Sequence, residues 1–166
     1  MYDILLLMNN KEQDVNIVAS DTAKQKIGGA KQKLVRRSSK YSWLLKSVKI
    51  FDGGSSTPGG RGCTNGKDAM WINAEMSEEE MIAVIAHEAK HIERGDCDEA
   101  REDFDLWNYY SDAEINEELA NEGIHVPNGV RVAGALSIGA EKLYRNALLQ
   151  KKGLSLAEEP IYGQAV

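Results

Sequence analysis

Cysteine is scarce in this chain of 166 residues, which contains only two. Cys63 and Cys97 lack C-x-x-C spacing, and two cysteines are too few for a disulfide framework. We expect both residues to be free thiols in a reducing compartment. The alternative interpretations are a disulfide between them or metal ligation by Cys97.

Long hydrophobic runs are also missing. The longest apolar run, from Met81 to Ala86, has six residues, whereas a membrane-spanning helix needs about 20. The N-terminal Met1-Tyr2-Asp3 lacks the basic residues that open a signal peptide, and no small-residue cleavage site follows. The sequence therefore predicts a cytoplasmic protein with no membrane span and no membrane partner.

The overall amino-acid composition is typical of a globular protein. Hydrophobic residues make up 42% of the chain and charged residues 28%, which favours a folded chain over a disordered one. A length of 166 residues allows one domain with a substantial core. We expect a single domain over residues 1–153 and a loosely held C-terminal tail over residues 154–166.

The formal net charge is −6, and the two signs are segregated along the chain. Residues 1–50 contain ten Lys/Arg and four Asp/Glu, whereas residues 75–122 contain three Lys/Arg and seventeen Asp/Glu. We favour helix faces of opposite charge that partly neutralise each other across the fold. The alternative is a basic N-terminal arm that contacts nucleic acid or an acidic partner. The sequence contains no known DNA-binding motif that would support this alternative. The candidate residues of that arm are Lys31, Lys33, Arg36, Arg37 and Lys40.

The first half of the chain predicts helix followed by a small sheet. Apolar spacing indicates a helix over residues 30–45, and we expect Gly28-Gly29 to interrupt any helix that begins at Asp21. Alternation at Val48–Phe51 predicts a strand, and residues 52–66, with six glycines, predict a loop. Asn65-Gly66 is a hairpin-turn pattern, and Ala69–Ile72 fits the returning strand.

The second half predicts three helices. Ser77 and Glu80 form a capping-box pattern at the start of the first, which should end at Gly95. Two further helices are predicted over residues 101–121 and 137–151. The fold class predicted is therefore α+β, mainly helical with a small sheet or hairpin beside the first of these helices.

The most informative feature of the sequence is the string His87-Glu88-Ala89-Lys90-His91, which has the pattern H-E-x-x-H. Residues four apart on a helix share one face, so two imidazoles can converge on one metal ion. Glu88 then lies beside the metal and can accept a proton from bound water. We expect Zn²⁺ because hydrolytic sites of this pattern usually hold it.

A hydrolytic zinc site needs a third protein ligand. Asp112, 21 residues beyond His91 in the next predicted helix, is the preferred candidate, and Asn116 one turn later could steady its carboxylate. Asp96, just beyond the predicted end of the motif helix, and His125, in a predicted loop, are the alternatives.

A series of short segments lies in a fixed order along residues 30–150. They are Thr64-Asn65-Gly66-Lys67, Trp71-Ile72-Asn73, Ser77-Glu78-Glu79-Glu80, the segment 86–91, Trp107-Asn108, Asp112, Ile115-Asn116, Pro127-Asn128-Gly129 and Ala140-Glu141-Lys142-Leu143-Tyr144. Together they resemble the metallopeptidase domain that often precedes a VWA-like domain in bacterial proteins. The resemblance implies a zincin-like fold, similar in layout to the thermolysin-type clan with Asp112 in place of the usual Glu.

By this match, His87, His91 and Asp112 are metal ligands and Glu88 is the base. The chain departs from the family in having Asp96 where a His commonly follows the motif, which strengthens Asp112 as the ligand. The resemblance covers about residues 30–150, and we expect no VWA-like domain beside it. We therefore expect a standalone module, of a kind that a phage or mobile element could encode, with a VWA-like protein as a partner in trans.

The function predicted is zinc-dependent hydrolysis of peptide bonds in a peptide or protein substrate. The strand Ala69–Ile72 could pair with an extended substrate. Four side chains are candidates for a second electrophile in the transition state: Tyr109, Tyr110, Tyr144 and His125. One alternative is a catalytically silent, metal-stabilised module that binds another protein. A weaker alternative is a metalloprotein associated with nucleic acid.

Overall fold

A computed structural model describes residues 21–98 and 100–153, as helices packed around a small sheet. The helices are α1 (Asp21–Arg37), α2 (Ser39–Leu44), α3 (Glu78–Arg94), α4 (Phe104–Asn121), α5 (Ala135–Ile138) and α6 (Ala140–Lys151); the strands are β1 (Lys49–Asp52), β2 (Gly62–Thr64) and β3 (Ala69–Ile72). The predicted α+β class, mainly helical with a small sheet, is confirmed. The predicted tail over residues 154–166 lies outside the described residues.

The sheet has the strand order β1-β3-β2, with β1 parallel and β2 antiparallel to β3. The predicted hairpin turn joins β2 to β3, and Oδ1 of Asn65 accepts hydrogen bonds from three successive backbone amides within it. The prediction that residues 52–66 are all loop is wrong, because they include β2. A Cβ at Gly62 would lie 2.6 Å from Cγ1 of Val84, so this strand packs closely on α3.

The position of β3 also corrects the expectation that this strand pairs with a substrate. Both edges of Ala69–Ile72 are already paired, with β1 on one side and β2 on the other. The backbone groups that an added strand would need are therefore occupied. In the described sheet, the strands with a free edge are β1 and β2.

Helix α1 runs unbroken through Gly28-Gly29, so the predicted interruption there is wrong. Two glycines in a helix interior cost about 1 kcal/mol each relative to alanine. Burial of Ile27 and Leu34 in the core shared with α3 offsets that cost. The predicted helix over residues 30–45 instead breaks at Ser38, after which α2 begins.

Helix α3 forms as its sequence predicts. The hydroxyl of Ser77 accepts a hydrogen bond from the amide of Glu80, and the Glu80 carboxylate accepts from the amide of Ser77. The helix ends at Gly95, whose φ is 67°. Its apolar residues pack with those of α4 in one core cluster, which places the H-E-x-x-H segment inside the protein. The members that these two helices contribute are Met81, Ile82, Ala83, Val84, Ile85, Ala86, Ala89, Ile115 and Leu119.

Opposite charges meet across the helices, as the segregated composition predicts. Lys33 pairs with Glu78, and Arg37 pairs with Glu79 across a distance of 2.8 Å. Surface pairs of this kind each contribute little to stability. They nevertheless show that basic residues of α1 face acidic residues at the start of α3.

The C-terminal helices form a second, smaller cluster. Trp107 of α4 packs with Ala140 and Tyr144 of α6. The helix predicted over residues 137–151 is divided at Gly139, where α5 ends and α6 begins. None of the helices in the described ranges has the length and apolar character that a bilayer crossing requires.

Candidate metal centre

Helix α3 places two imidazoles side by side. His87 and His91 are one turn apart, and the two residues are 4% and 0% exposed. Their Nε2 atoms lie 3.0 Å from each other. The predicted convergence of the two rings is therefore present in the fold.

Helix α4 brings a carboxylate to the same point. Oδ1 of Asp112 lies 3.0 Å from Nε2 of His91 and 3.3 Å from Nε2 of His87. The Asp112 residue is 1% exposed. Within the described ranges, these three residues are the group of His, Cys, Asp or Glu side chains able to hold a metal ion, with ligand atoms all within 4.8 Å of one another.

The other ring nitrogens of the two histidines face acceptors. Nδ1 of His87 lies 2.9 Å from Oδ1 of Asn116, and Nδ1 of His91 lies 2.9 Å from Oδ2 of Asp96. An acceptor at Nδ1 selects the tautomer in which that nitrogen carries the proton. In the neutral rings, both Nε2 lone pairs then point into the space shared with Asp112, which is the arrangement that supports a bound metal.

Asp96, an alternative third ligand, lies outside this three-residue group. The turn at Gly95 places its carboxylate on the Nδ1 side of the His91 ring. The hydroxyl of Ser111 donates to the same carboxylate oxygen, and Nε1 of Trp107 donates to the Asp96 carbonyl at 3.1 Å. Asp96 is thus held as a partner of His91 by two residues of α4.

His125 and Cys97 also lie outside the group of three. His125, the other alternative third ligand, is exposed in the loop that follows α4. Cys97 packs against Gly66, where an added Cβ would lie 2.4 Å from the Cys97 Cβ. Both cysteines are free thiols, as expected, and burial raises the pKa of each to about 12.

Asn116 has a different partner from the one predicted. Its side-chain oxygen contacts His87 rather than steadying the carboxylate of Asp112, and its amide group donates to the carbonyl of Val130 at 3.0 Å. The reason is helical geometry, because a residue four positions after Asp112 lies one turn further along α4. That position faces His87, the residue one turn before His91.

Glu88 lies beside the two histidines and is 5% exposed. No hydrogen-bond partner reaches its Oε2 atom, or Oδ2 of Asp112, among the residues that the structure describes. Burial raises the pKa of Glu88, and the two histidines only partly oppose that effect. A carboxylate with a raised pKa is a better proton acceptor, which suits a general base.

The pKa values at the site reflect the close contact of acids and imidazoles. Burial opposes protonation of His91, but hydrogen bonds to Asp112 and Asp96 outweigh it and raise the pKa of His91 to about 10. Burial would raise the pKa of Asp112, but the same histidine contacts lower it. Positive charge is therefore favoured between the three side chains, where a divalent cation would also be stabilised.

The tyrosines predicted to assist the reaction have other contacts. The Tyr144 hydroxyl accepts a hydrogen bond from the amide of Asp103 at the start of α4, and its ring packs edge-on against Trp107. Tyr109 is 45% exposed and packs edge-on against Tyr110. These contacts hold helices and surface side chains in place, and the transition-state role of Tyr109 and Tyr144 stays a prediction.

The sequence analysis did not predict an ion-pair cluster that lies next to the site. Lys90, inside the H-E-x-x-H string, is 4% exposed and pairs with Glu118 of α4 at 2.6 Å. Arg94 pairs with Glu114 at 3.0 Å and with Glu118 at 3.3 Å. Spacing of four residues within each helix is the only sequence pattern that could have indicated the cluster. These pairs connect α3 to α4 near the point where Asp112 meets the histidines.

A family model described as "Putative metallopeptidase domain" matches residues 22–165 of the chain. The match covers both helices that carry the group of three residues. No curated protein and no solved structure matches the chain.

Proposed function

The chain belongs to this family of metallopeptidase domains, and we propose that it is a zinc-dependent peptidase whose metal ligands are His87, His91 and Asp112. In this proposal Glu88 is the general base. The substrate is a peptide or protein, and the reaction is hydrolysis of a peptide bond.

The observation that carries the proposal is the meeting of one carboxylate oxygen and two imidazole nitrogens in a buried space. Three ligand atoms within 4.8 Å of one another, contributed by two helices, fit one divalent ion. One oxygen each of Glu88 and Asp112 has no partner among residues 21–98 and 100–153, which supports this assignment because buried polar atoms normally have partners. A bound ion and its water would supply them.

The donor set favours zinc over magnesium or calcium. Two imidazoles and one carboxylate form a nitrogen-rich set, whereas magnesium and calcium prefer oxygen ligands. Three protein ligands also leave a fourth position open, as hydrolytic zinc sites require. When bound, the ion would activate a water molecule and polarise the substrate carbonyl.

The chain's own contribution to the chemistry is proton transfer by Glu88. Its carboxylate, one oxygen of which has no hydrogen-bond partner in the described part of the chain, accepts the proton of the attacking water. It then returns that proton to the leaving amine. The raised pKa of Glu88 makes its carboxylate a stronger proton acceptor in the first of these two steps.

The proposal is tested by metal analysis and proteolysis with the purified chain. We expect about one zinc ion per chain and cleavage of casein that stops with a chelator and returns with added zinc. Absence of bound zinc would contradict the metal centre. Bound zinc without cleavage of any substrate in a broad peptide library would instead support the metal-stabilised binding module.

A further inference from the structure

The segment Pro127-Asn128-Gly129 takes no part in the proposed chemistry, yet it touches the metal centre through one residue. It lies in the loop between α4 and α5, next to Asn116. The side chain of Asn116 is buried and spans the gap between the loop and the site. One end donates to the carbonyl of Val130 at 3.0 Å, and the other lies 2.9 Å from Nδ1 of His87.

The carbonyl of Val130 determines which way the Asn116 amide points. A backbone carbonyl can only accept a hydrogen bond, so the NH₂ end of the amide must face it. The oxygen end then faces His87 and can only accept. Nδ1 of His87 must therefore donate, so in the neutral ring Nε2 is the nitrogen that carries the lone pair.

Gly129 provides the space that this orientation needs. A Cβ at that position would lie 2.8 Å from Nδ2 and 3.1 Å from Cγ of Asn116, as well as 3.2 Å from the Val126 carbonyl oxygen. Any larger residue would displace the amide. The guanidinium of Arg61 binds the carbonyl of Pro127, so the loop is also tied to the segment that precedes β2.

From these contacts we infer that residues 126–130, here called the support loop, are the positioning element for His87. The support loop orients the Asn116 amide, and the amide fixes the tautomer and ring orientation of His87. The inference rests on the proposed function, because it concerns how well His87 binds zinc. It makes Asn116 and Gly129 positioning residues, neither of which touches the metal or the substrate.

The test compares zinc dissociation constants, measured by competition with a chromophoric chelator, for the full chain and its variants. We expect Asn116→Ala and Gly129→Ala each to weaken zinc binding by about 10-fold to 100-fold, the usual effect of removing a partner of a ligating histidine. Gly28→Ala is the matched control, since an added Cβ there meets nothing within 4 Å. Its zinc affinity should equal that of the wild type.

Asn116→Asp separates positioning from a purely structural role. A carboxylate accepts at either end, so it can receive the Nδ1 proton of His87 without being oriented by the loop. It also loses the hydrogen bond to Val130. We expect zinc affinity within a few-fold of the wild type and a lower melting temperature of the metal-free protein.

The outcomes distinguish the inference from the proposed function. If the wild type binds no zinc, both fail together. If the wild type binds zinc and Asn116→Ala and Gly129→Ala bind it equally well, the inference alone is wrong. If Asn116→Asp weakens zinc binding as much as Asn116→Ala does, Asn116 only holds the loop, and the inference is again wrong.

Discussion

Oδ1 of Asp112 lies 3.0 Å from Nε2 of His91, across the contact between α4 and α3. The two residues are 21 positions apart, and nothing local brings them together. Their distance is set by how the two helices pack, through Ile115 and Leu119 on the apolar side and Lys90 with Glu118 on the charged side. The metal centre is therefore a property of the helix pair.

Removal of the Asp112 carboxylate should abolish tight metal binding. We expect Asp112→Ala to lower zinc affinity by more than about 100-fold, because loss of an indirect partner of a ligand already costs 10-fold to 100-fold. The measurement is zinc content after dialysis, followed by chelator competition. Asp105→Ala is the control, since Asp105 is an exposed acid of the same helix. Equal zinc binding by Asp112→Ala and wild type would remove Asp112 from the ligand set.

Glu88→Gln should retain zinc and lose hydrolysis. The amide has the shape of the carboxylate but cannot accept the water proton, and loss of a general base typically costs a factor of about 10² to 10⁴ in rate. The measurement pairs zinc content with the rate of casein cleavage. Glu75→Gln, at an exposed acid that precedes α3, serves as the control. Wild-type activity in Glu88→Gln would show that another group accepts the proton.

Zinc should stabilise the folded chain strongly. An ion that binds only the folded state, present at about 1,000 times its dissociation constant, adds about 4 kcal/mol to the free energy of unfolding. For a chain of this size that corresponds to a rise in melting temperature of about 10 °C. Thermal unfolding with and without zinc measures the rise. It should disappear in Asp112→Ala, and persistence there would indicate that zinc binds elsewhere.

The pair between Lys90 and Glu118 should make stability depend on pH in the acid range. Burial would raise the pKa of Glu118, but the hydrogen bond from Lys90 and the nearby cations lower it below 4.5. A carboxyl with a lowered folded-state pKa stabilises the fold above its unfolded-state pKa, and this contribution is lost as the pH falls. We expect Glu118→Gln to cost about 2 kcal/mol at pH 7.

Denaturant unfolding of wild type and Glu118→Gln at several pH values measures that contribution. The difference in unfolding free energy should stay constant from about pH 6 to pH 8 and shrink below about pH 4.5. Comparison of the metal-free forms keeps zinc release out of the result. A difference that is unchanged at pH 3 would show that Glu118 stabilises the fold through packing.

Local sequence patterns predicted the elements whose formation depends on interactions between neighbouring residues. The capping box at Ser77 and Glu80 and the turn at Gly95 set the bounds of α3, and both patterns are complete within a few residues. The spacing of His87 and His91 follows from helix geometry alone. The turn pattern at Asn65-Gly66 likewise allowed the strand Ala69–Ile72 to be predicted, but its place in the middle of the sheet could not be.

Features that depend on contacts between residues far apart in the chain could not be predicted from local sequence patterns. The pair Gly28-Gly29 is a local pattern that predicts a helix break. Burial of α1 against α3 keeps the helix continuous. Asp96 has the residue type of a ligand, yet the turn before it directs its carboxylate to the far side of His91. The position of Asn116 one turn after Asp112 predicts a partner of the site, but its contact with His87 depends on how α4 lies on α3.

The two helices that hold the candidate ligands are also the helices that fill the centre of the protein. Ile85 and Ile115 belong to the same core cluster that surrounds the H-E-x-x-H segment. A substitution that shifts this packing by a fraction of an ångström would move Asp112 relative to the histidines. Substitutions far from the ion could thus change its affinity. Substitutions that improve folding and substitutions that alter metal retention would therefore fall on the same residues.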